Sequence, residues 1–268
     1  MSGPWAGKWA LVTGASAGIG VALARELATG GTNLVLTARR KDRLEKLAQE
    51  LSSAHEIRVA VFAADLTQTA APQQVFDYTQ AKNIAVDLLV NNAGFGAYGA
   101  LATVETQRLL DMVQVNCSAV VHLTRLYLPP MLKQGRGDVL IVASTASFQA
   151  VPFISTYAAT KAFDLIFAEG LAEEVRAQGI RVCALCPGST ESEFHEVAGQ
   201  SGLAAARKNR ETAEKVARVG LRALAAGKSY VISGVGNYFG AHSQRLVPRR
   251  VVARVAAKMF RPPAGQSS

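Results

Sequence analysis

Trp9-Ala10-Leu11-Val12-Thr13-Gly14-Ala15-Ser16-Ala17-Gly18-Ile19-Gly20 decides the fold class of this chain. Trp9 to Val12 reads as a short apolar strand. From Gly18 to Ala28 the apolar residues take helical spacing. Strand, glycine-rich turn and helix, in that order, make a dinucleotide-binding arrangement. The glycines let the backbone come close to a pyrophosphate, and the helix N-terminus receives its charge. The spacing is G-x-x-x-G-x-G, with the wide gap first, and departs from the common G-x-G-x-x-G. Glycines alone would mark only a tight turn. The strand before them and the helix after them carry the reading.

Outward from this unit the pattern repeats. Strand-like runs fall near 8–13, 33–38, 58–63, 87–91, 138–143, 181–186 and 229–233. Helical runs fall near 18–29, 41–53, 69–82, 103–132, 155–178 and 211–227. This alternation implies an α/β fold, a doubly wound parallel sheet of about seven strands with right-handed crossovers. Pro129-Pro130 is expected to bend or end the fourth helix. Residues 188–210 are small and weakly periodic, as expected of a mobile lid.

At 268 residues the chain has the length of one α/β domain with a sizeable core. Three cysteines, an odd number, argue against a disulfide framework. Cys183 and Cys186 fall three apart on an apparent strand and so point to opposite faces. They are expected in the core, and no metal site is expected. No stretch approaches the roughly 18 apolar residues of a membrane span. The glycine motif begins almost at once, so a cytoplasmic protein without a signal peptide is expected. The formal charge of +9 is unevenly placed. No acidic residue follows Glu214, while ten of the 29 basic residues do. The basic character therefore belongs to the C-terminal segment. With a near-neutral body and no recognised motif, nucleic acid is not an expected partner.

Chemistry enters with Ser155-Thr156-Tyr157-Ala158-Ala159-Thr160-Lys161. Tyr157 and Lys161 stand one turn apart on one helix face. A cation there is expected to pull the phenol from its usual pKa of about 10 towards neutrality. Such a phenol exchanges protons with a carbonyl or alcohol oxygen. Ser144, at the end of the strand-like run Val139–Ala143, is placed to hold the same oxygen.

Taken together, the chain resembles the short-chain dehydrogenase/reductase family, whose members have a single-domain Rossmann fold. Thr13–Gly20, Asn91-Asn92-Ala93-Gly94, Asn116, Ser144, Tyr157, Lys161 and Pro187-Gly188 occur in the family's order and at about its spacing. The match runs over roughly 7–235. The resemblance implies an oxidoreductase that moves a hydride between a nicotinamide and a carbonyl or secondary alcohol. Tyr157 would be the general acid or base. Lys161 would bind the nicotinamide ribose and lower the tyrosine pKa, Ser144 would hold the substrate oxygen, and Asn116 would steady a water in the proton relay. Gly14, Ser16, Gly18, Ile19 and Gly20 would cradle the pyrophosphate. Asp65 and Leu66 would hold the adenine, and Asn92, Ala93 and Gly94 would wall the adenosine ribose, while Asn91 braces the sheet. Pro187 and Gly188 would abut the nicotinamide, with Thr190 and Ser192 on its carboxamide.

The second strand ends without the carboxylate that would bind a ribose 2′-hydroxyl. It runs instead into Arg39 and Arg40, which suit a 2′-phosphate, with Arg39 expected to lead and Arg40 to assist. NADP(H) is therefore preferred and NAD(H) left open. Phe95, Tyr98, Phe148, Phe153 and Phe194 follow strand ends on the cofactor side and suggest an apolar substrate pocket for a lipophilic carbonyl. The family assembles as homodimers or homotetramers through its fourth and fifth helices. Here Ala119, Leu123, Leu126, Phe163 and Phe167 are candidates either for these contacts or for the core. A cofactor-binding regulatory protein on the same scaffold is the alternative to an enzyme.

The expected domain spans 1–235, with 236–268 as a basic amphipathic helical extension. Val251, Val252, Val255, Met259 and Phe260 form its apolar stripe, and Arg250, Arg254, Lys258 and Arg261 its basic one. Three roles are open to it: peripheral contact with an anionic membrane, docking of an acidic carrier protein, or packing on the body.

Overall fold

A computed structural model describes residues 3–191, 193–194, 198–199 and 210–262. Seven parallel strands form one sheet in the order β3-β2-β1-β4-β5-β6-β7. They are β1 Trp9–Thr13, β2 Asn33–Ala38, β3 Val59–Ala63, β4 Val86–Asn91, β5 Gly137–Val142, β6 Ile180–Cys186 and β7 Tyr230–Ile232. The chain turns back on itself between β1 and β4. There the carboxyl ends of neighbouring strands lead their loops apart and open a crevice.

Alternation along each strand sorts the core into two layers. Leu11, Val35 and Leu89 pack on one face of the sheet, while Ala10, Val12, Leu34 and Leu36 pack on the other. Cys183 and Cys186 divide between these layers in the same way, both fully buried. The first layer is covered by α3 Ala71–Ala81, α5 Ala119–Gln134 and α6 Ser155–Glu174, and the second by α1 Gly18–Thr29, α2 Lys41–Ala54 and α7 Ala213–Ala225.

The expected fourth helix is not one regular element. α4 Thr106–Val113 passes through a single wide π turn, Gln114–Ser118, into α5. Nor does Pro129-Pro130 end it: α5 continues to Gln134 and stops at Gly135, whose left-handed φ of 63° suits glycine. Tyr127 and Met131 are buried on either side of the prolines, so packing holds the helix where local propensity would break it.

Beyond β7, two helices not expected as separate elements follow: α8 Val235–Ser243 and α9 Arg249–Phe260. The short turn Gln244–Leu246 joins them. Both helices return to the carboxyl end of the sheet. Most of the expected lid at 188–210, together with Ser192, lies outside the described residues.

Candidate active site

The crevice holds a cavity of about 820 Å³. One end is built from β1, its turn and α1. Gly14 has φ 66°, and a side chain there would meet the Ala93 backbone at 2.8 Å. A side chain at Gly20 would collide with the Gly14 carbonyl, so Gly20 lets α1 pack on the turn and does not itself line the cavity. Asn92 fastens the turn to β4. Its Nδ2 donates to the Thr13 carbonyl at 2.8 Å, and its own N–H donates to Thr13 Oγ1 at 2.9 Å. Asn91 Nδ2 donates to Thr124 Oγ1 at 3.0 Å, bracing β4 against α5 as expected.

These residues fit a dinucleotide. α1 starts with no side-chain cap and no acid in its first turn, and Ala17, Gly18 and Ile19 line the cavity. Its first N–H groups are thus available to an anion. Ser16, Arg39, Arg40, Asp65, Leu66, Ala93 and Gly94 line the same end. Of the two arginines it is Arg40 that is oriented. Its Nε and Nη2 donate to Ser16 Oγ at 3.3 and 3.2 Å, and its Nη1 pairs with Glu193 at 2.8 Å. Arg43 pairs with the same carboxylate at 2.6 Å. Hydrogen bonds from Arg43 and Arg40 hold the Glu193 carboxyl below its ordinary pKa. Arg39 is exposed.

At the other end α6 presents Tyr157 and Lys161, and β5 leads into Ser144. The Ser144 oxygen accepts the Ala146 N–H at 3.1 Å, which leaves the hydroxyl proton to point elsewhere. Ser147 Oγ donates to the Lys161 carbonyl at 2.7 Å and ties this turn to α6. Lys161 is almost wholly buried. Its Nζ donates to the Val142 carbonyl at 2.7 Å and to Asp164 Oδ2 at 2.9 Å. Burial pushes the Lys161 ammonium down, but the Asp164 and Tyr157 charges more than offset it, and the net shift is upward.

The phenol differs from expectation. Burial, the largest influence, pushes Tyr157 above its ordinary pKa; Lys161 and a hydrogen bond with Ser144 pull the other way, while Asp164 adds to the rise. The cation alone would have lowered it, but desolvation and the neighbouring carboxylate outweigh that pull.

Asn116 sits in the π turn, fully buried, and does not line the cavity. Its Nδ2 donates to the Phe95 carbonyl at 3.1 Å and to Thr160 Oγ1 at 3.0 Å, and its Oδ1 accepts the Phe95 N–H at 3.1 Å. Its side chain is thus committed to bracing the β4 loop against α6. Pro187, Gly188 and Thr190 line the cavity, with Thr190 Oγ1 donating to the Gly188 carbonyl at 3.1 Å.

Of the five aromatic residues expected in the substrate pocket, Phe95 and Phe194 line it. The Phe194 ring lies 5.2 Å from that of Tyr157. Tyr98, Phe148 and Phe153 do not line it. Phe148 packs near Tyr230 and His242. Tyr98 and Phe153 stand behind α9, and the Tyr98 hydroxyl donates to the Phe260 carbonyl at 3.0 Å. The wall they support is α9 itself: Val252, Val255, Ala256, Met259 and Phe260 face the cavity with Val151 and Ile154.

Asp164 and the α9 wall were not anticipated. A lone acid three residues after Lys161, in the apolar run Ala162–Phe167, was the available signal for the first. Cys117 takes no part: burial pushes its thiol up to about 11.

Comparison with known proteins agrees with this geometry. A family model described as short chain dehydrogenase matches residues 8–201, which stops short of α8 and α9. The very-long-chain 3-oxoacyl-CoA reductase of Bos taurus is 32% identical over 191 residues, covering 69% of this chain. The chain matches only about 60% of that relative's length. A short-chain dehydrogenase from Sphingobium yanoikuyae, solved with NADPH, is 27% identical with a TM-score of 0.81 and covers 97% of this chain and 98% of its own. A 7beta-hydroxysteroid dehydrogenase is 25% identical with a TM-score of 0.85, covering 94% and 98%. With its nucleotide turn, its Ser144, Tyr157 and Lys161 and the matched stretch in agreement, the chain belongs to the short-chain dehydrogenase/reductase family of oxidoreductases.

Proposed function

We propose that this chain is an NADP(H)-dependent reductase or dehydrogenase acting on a carbonyl or secondary alcohol of a lipophilic substrate. One observation carries the reading: Ser144, Tyr157 and Lys161 line the same cavity as the uncapped end of α1 and Arg40. NADP(H), when bound, supplies or accepts the hydride. The protein's share is positioning and proton transfer. Ser144, hydrogen-bonded to the Tyr157 phenol until substrate binds, turns its hydroxyl to hold the substrate oxygen beside it. Tyr157, whose raised pKa keeps it protonated, gives its proton to that oxygen in reduction. Lys161, held charged by Asp164, sits one turn away and favours the phenolate that remains. Ala93 and Gly94 would wall the adenosine ribose, and Pro187 would abut the nicotinamide.

The lipophilic part of the reading rests on Val151, Ile154, Phe194 and α9 at the far end of the cavity. The acyl and steroid substrates named for the two relatives agree with it. Arg40 supports NADP(H) over NAD(H), because a 2′-phosphate would compete with Glu193 for a guanidinium already aimed over Ser16. We expect the protein in the cytoplasm. No helix among the described residues is long and apolar enough to cross a membrane.

A homodimer would use the outer face of α4, α5 and α6. Of the residues that could serve either that interface or the core, Ala119 and Leu123 are core. The face is supplied by Leu110, Val113, Val121, Phe163 and Ile166, the last 69% exposed. Phe163 stacks on Phe167 at 5.8 Å.

Tyr157→Phe should cut kcat by about 10²–10⁴ and leave NADPH affinity nearly unchanged. Full activity with a carbonyl panel in this variant would remove the assignment. Arg40→Ala should weaken NADPH by roughly one to two decades, the loss of about 1.5–3 kcal/mol expected for one charged partner, and spare NADH. Equal losses for both cofactors, measured by titration, would refute the phosphate role.

Asp164→Asn tests the buried pair. Lys161 is charged below its folded pKa, and Asp164 raises that value. Without the carboxylate, burial dominates and the ammonium loses its proton at lower pH. The basic limb of the pH–rate profile should therefore move to lower pH. An unmoved limb would show that Asp164 is structural only. Stability should also drop, by about 3–5 kcal/mol if the unpaired ammonium stays buried. For assembly, Phe163→Glu with Ile166→Glu should give a monomeric mass by light scattering. A wild-type chain that is already monomeric at micromolar concentration would end the dimer reading.

A further inference from the structure

We infer that the rim formed by α8, the Gln244–Leu246 turn and α9 docks on an anionic lipid surface, with the mouth of the cavity facing that surface. α9 is divided along its length. Ala256 and Phe260 are buried against Val151, Ile154, Ala158, Tyr98 and Phe153, so the helix is fixed to the body. Val255 and Met259, one position away from them, line the cavity and yet are 53% and 61% exposed. A side chain that does both stands at the mouth. Val247 is a third such residue.

The apolar surface continues outward from this mouth. On α8 and the following turn, Gly236, Gly240, Ser243 and Val247 form the stripe facing the cavity. One position beside it runs a second stripe, Val235, Phe239 and Leu246, which does not line the cavity and reaches 88% exposure at Leu246. With Val251 on α9, large apolar side chains thus extend from inside the cavity onto the exterior. Contiguous exposed apolar surface of this kind, rimmed by polar groups, marks an interaction site.

Charge selects the partner. Arg249, Arg250, Arg254, Lys258 and Arg261 are all exposed on or directly after α9. No acidic residue follows Glu214 in the sequence. An apolar strip flanked by exposed arginine and lysine matches a bilayer with anionic headgroups: the strip enters the acyl boundary and the cations meet the phosphates. An acidic protein would satisfy the cations but not the strip running into the cavity. On the reading of this cavity as the substrate site, a lipophilic carbonyl would pass from the bilayer into the cavity along Val255 and Met259 without crossing water.

The test uses the full chain and sedimentation with vesicles of phosphatidylglycerol and phosphatidylcholine, against vesicles of phosphatidylcholine alone. Binding should favour the anionic vesicles and fall about tenfold or more as salt rises well above physiological strength. Phe239→Asp with Leu246→Asp should abolish sedimentation while leaving turnover of a small soluble ketone intact, which also shows that the variant is folded. Arg250→Glu with Arg254→Glu should remove the preference for anionic vesicles. No sedimentation of the intact chain, sedimentation unchanged in the aspartate variant, or binding to an acidic carrier protein in place of vesicles would each overturn the inference. Vesicle binding requires no turnover, so a chain that sediments but reduces nothing would count against the proposed reductase alone.

Discussion

A single buried ammonium joins the parts on which this site depends. Taking Lys161 out of water costs several kcal/mol unless it is paired and hydrogen-bonded. Both conditions are met, and each partner comes from a different place. The Val142 carbonyl belongs to the end of β5, and Asp164 lies three residues further along α6. The ion therefore pins helix to sheet at the point where Ser144 leaves the strand. Ser147 adds a second tie, from the Ser144 turn to the Lys161 carbonyl. The Asp164 carboxylate holds the lysine charged and opposes the cation's pull on the phenol.

The other half of the site is made by what is missing. Around the nucleotide turn the backbone of β1, α1 and the β4 loop approach so closely that side chains at Gly14 and Gly20 have no room. Thr13 Oγ1 serves as a hub there, accepting the N–H groups of Asn92 and Ala93 and donating to the Val90 carbonyl. The turn is rigid because its polar atoms are satisfied internally, while the first N–H groups of α1 are not. Rigidity and unsatisfied donors together give a preorganised anion site.

Most of the sheet was legible because a buried parallel strand is a short continuous apolar run, and each such run here is separated from the next by a helix. All seven strands lie within two residues of where the sequence placed them. The turn glycines, Ser144, Tyr157 and Lys161 were legible because their spacing alone carries geometry. Three things were not. The π turn at Asn116 has no period of its own, so the sequence showed one long helix. The prolines of α5 carry a strong local signal that the burial of Tyr127 and Met131 overrules. Aromatic residues after strand ends mark a neighbourhood and not a direction: Phe95 and Phe194 face the cavity, whereas Tyr98 and Phe153 turn their backs on it to support α9. Likewise Ala119 and Leu123 share a helix with surface residues, and only packing shows them to be core.

The C-terminal segment shows how one helix meets two demands that pull against each other. A cavity for a lipophilic molecule needs apolar walls, and its mouth must be open enough for that molecule to pass. The last wall residues are then unavoidably exposed, as Val255 and Met259 are. In water such a rim invites association with other apolar surfaces. Placing five exposed cations on and after this helix restrains like-charged copies of the chain from meeting there, while leaving the rim attractive to an anionic surface. The same charge placed near Arg40 and the nucleotide turn would have interfered with the pairing of Glu193 and with cofactor choice. Its confinement to the segment after Glu214 keeps the two functions of positive charge, holding a phosphate within the crevice and meeting a surface outside it, at separate ends of one cavity.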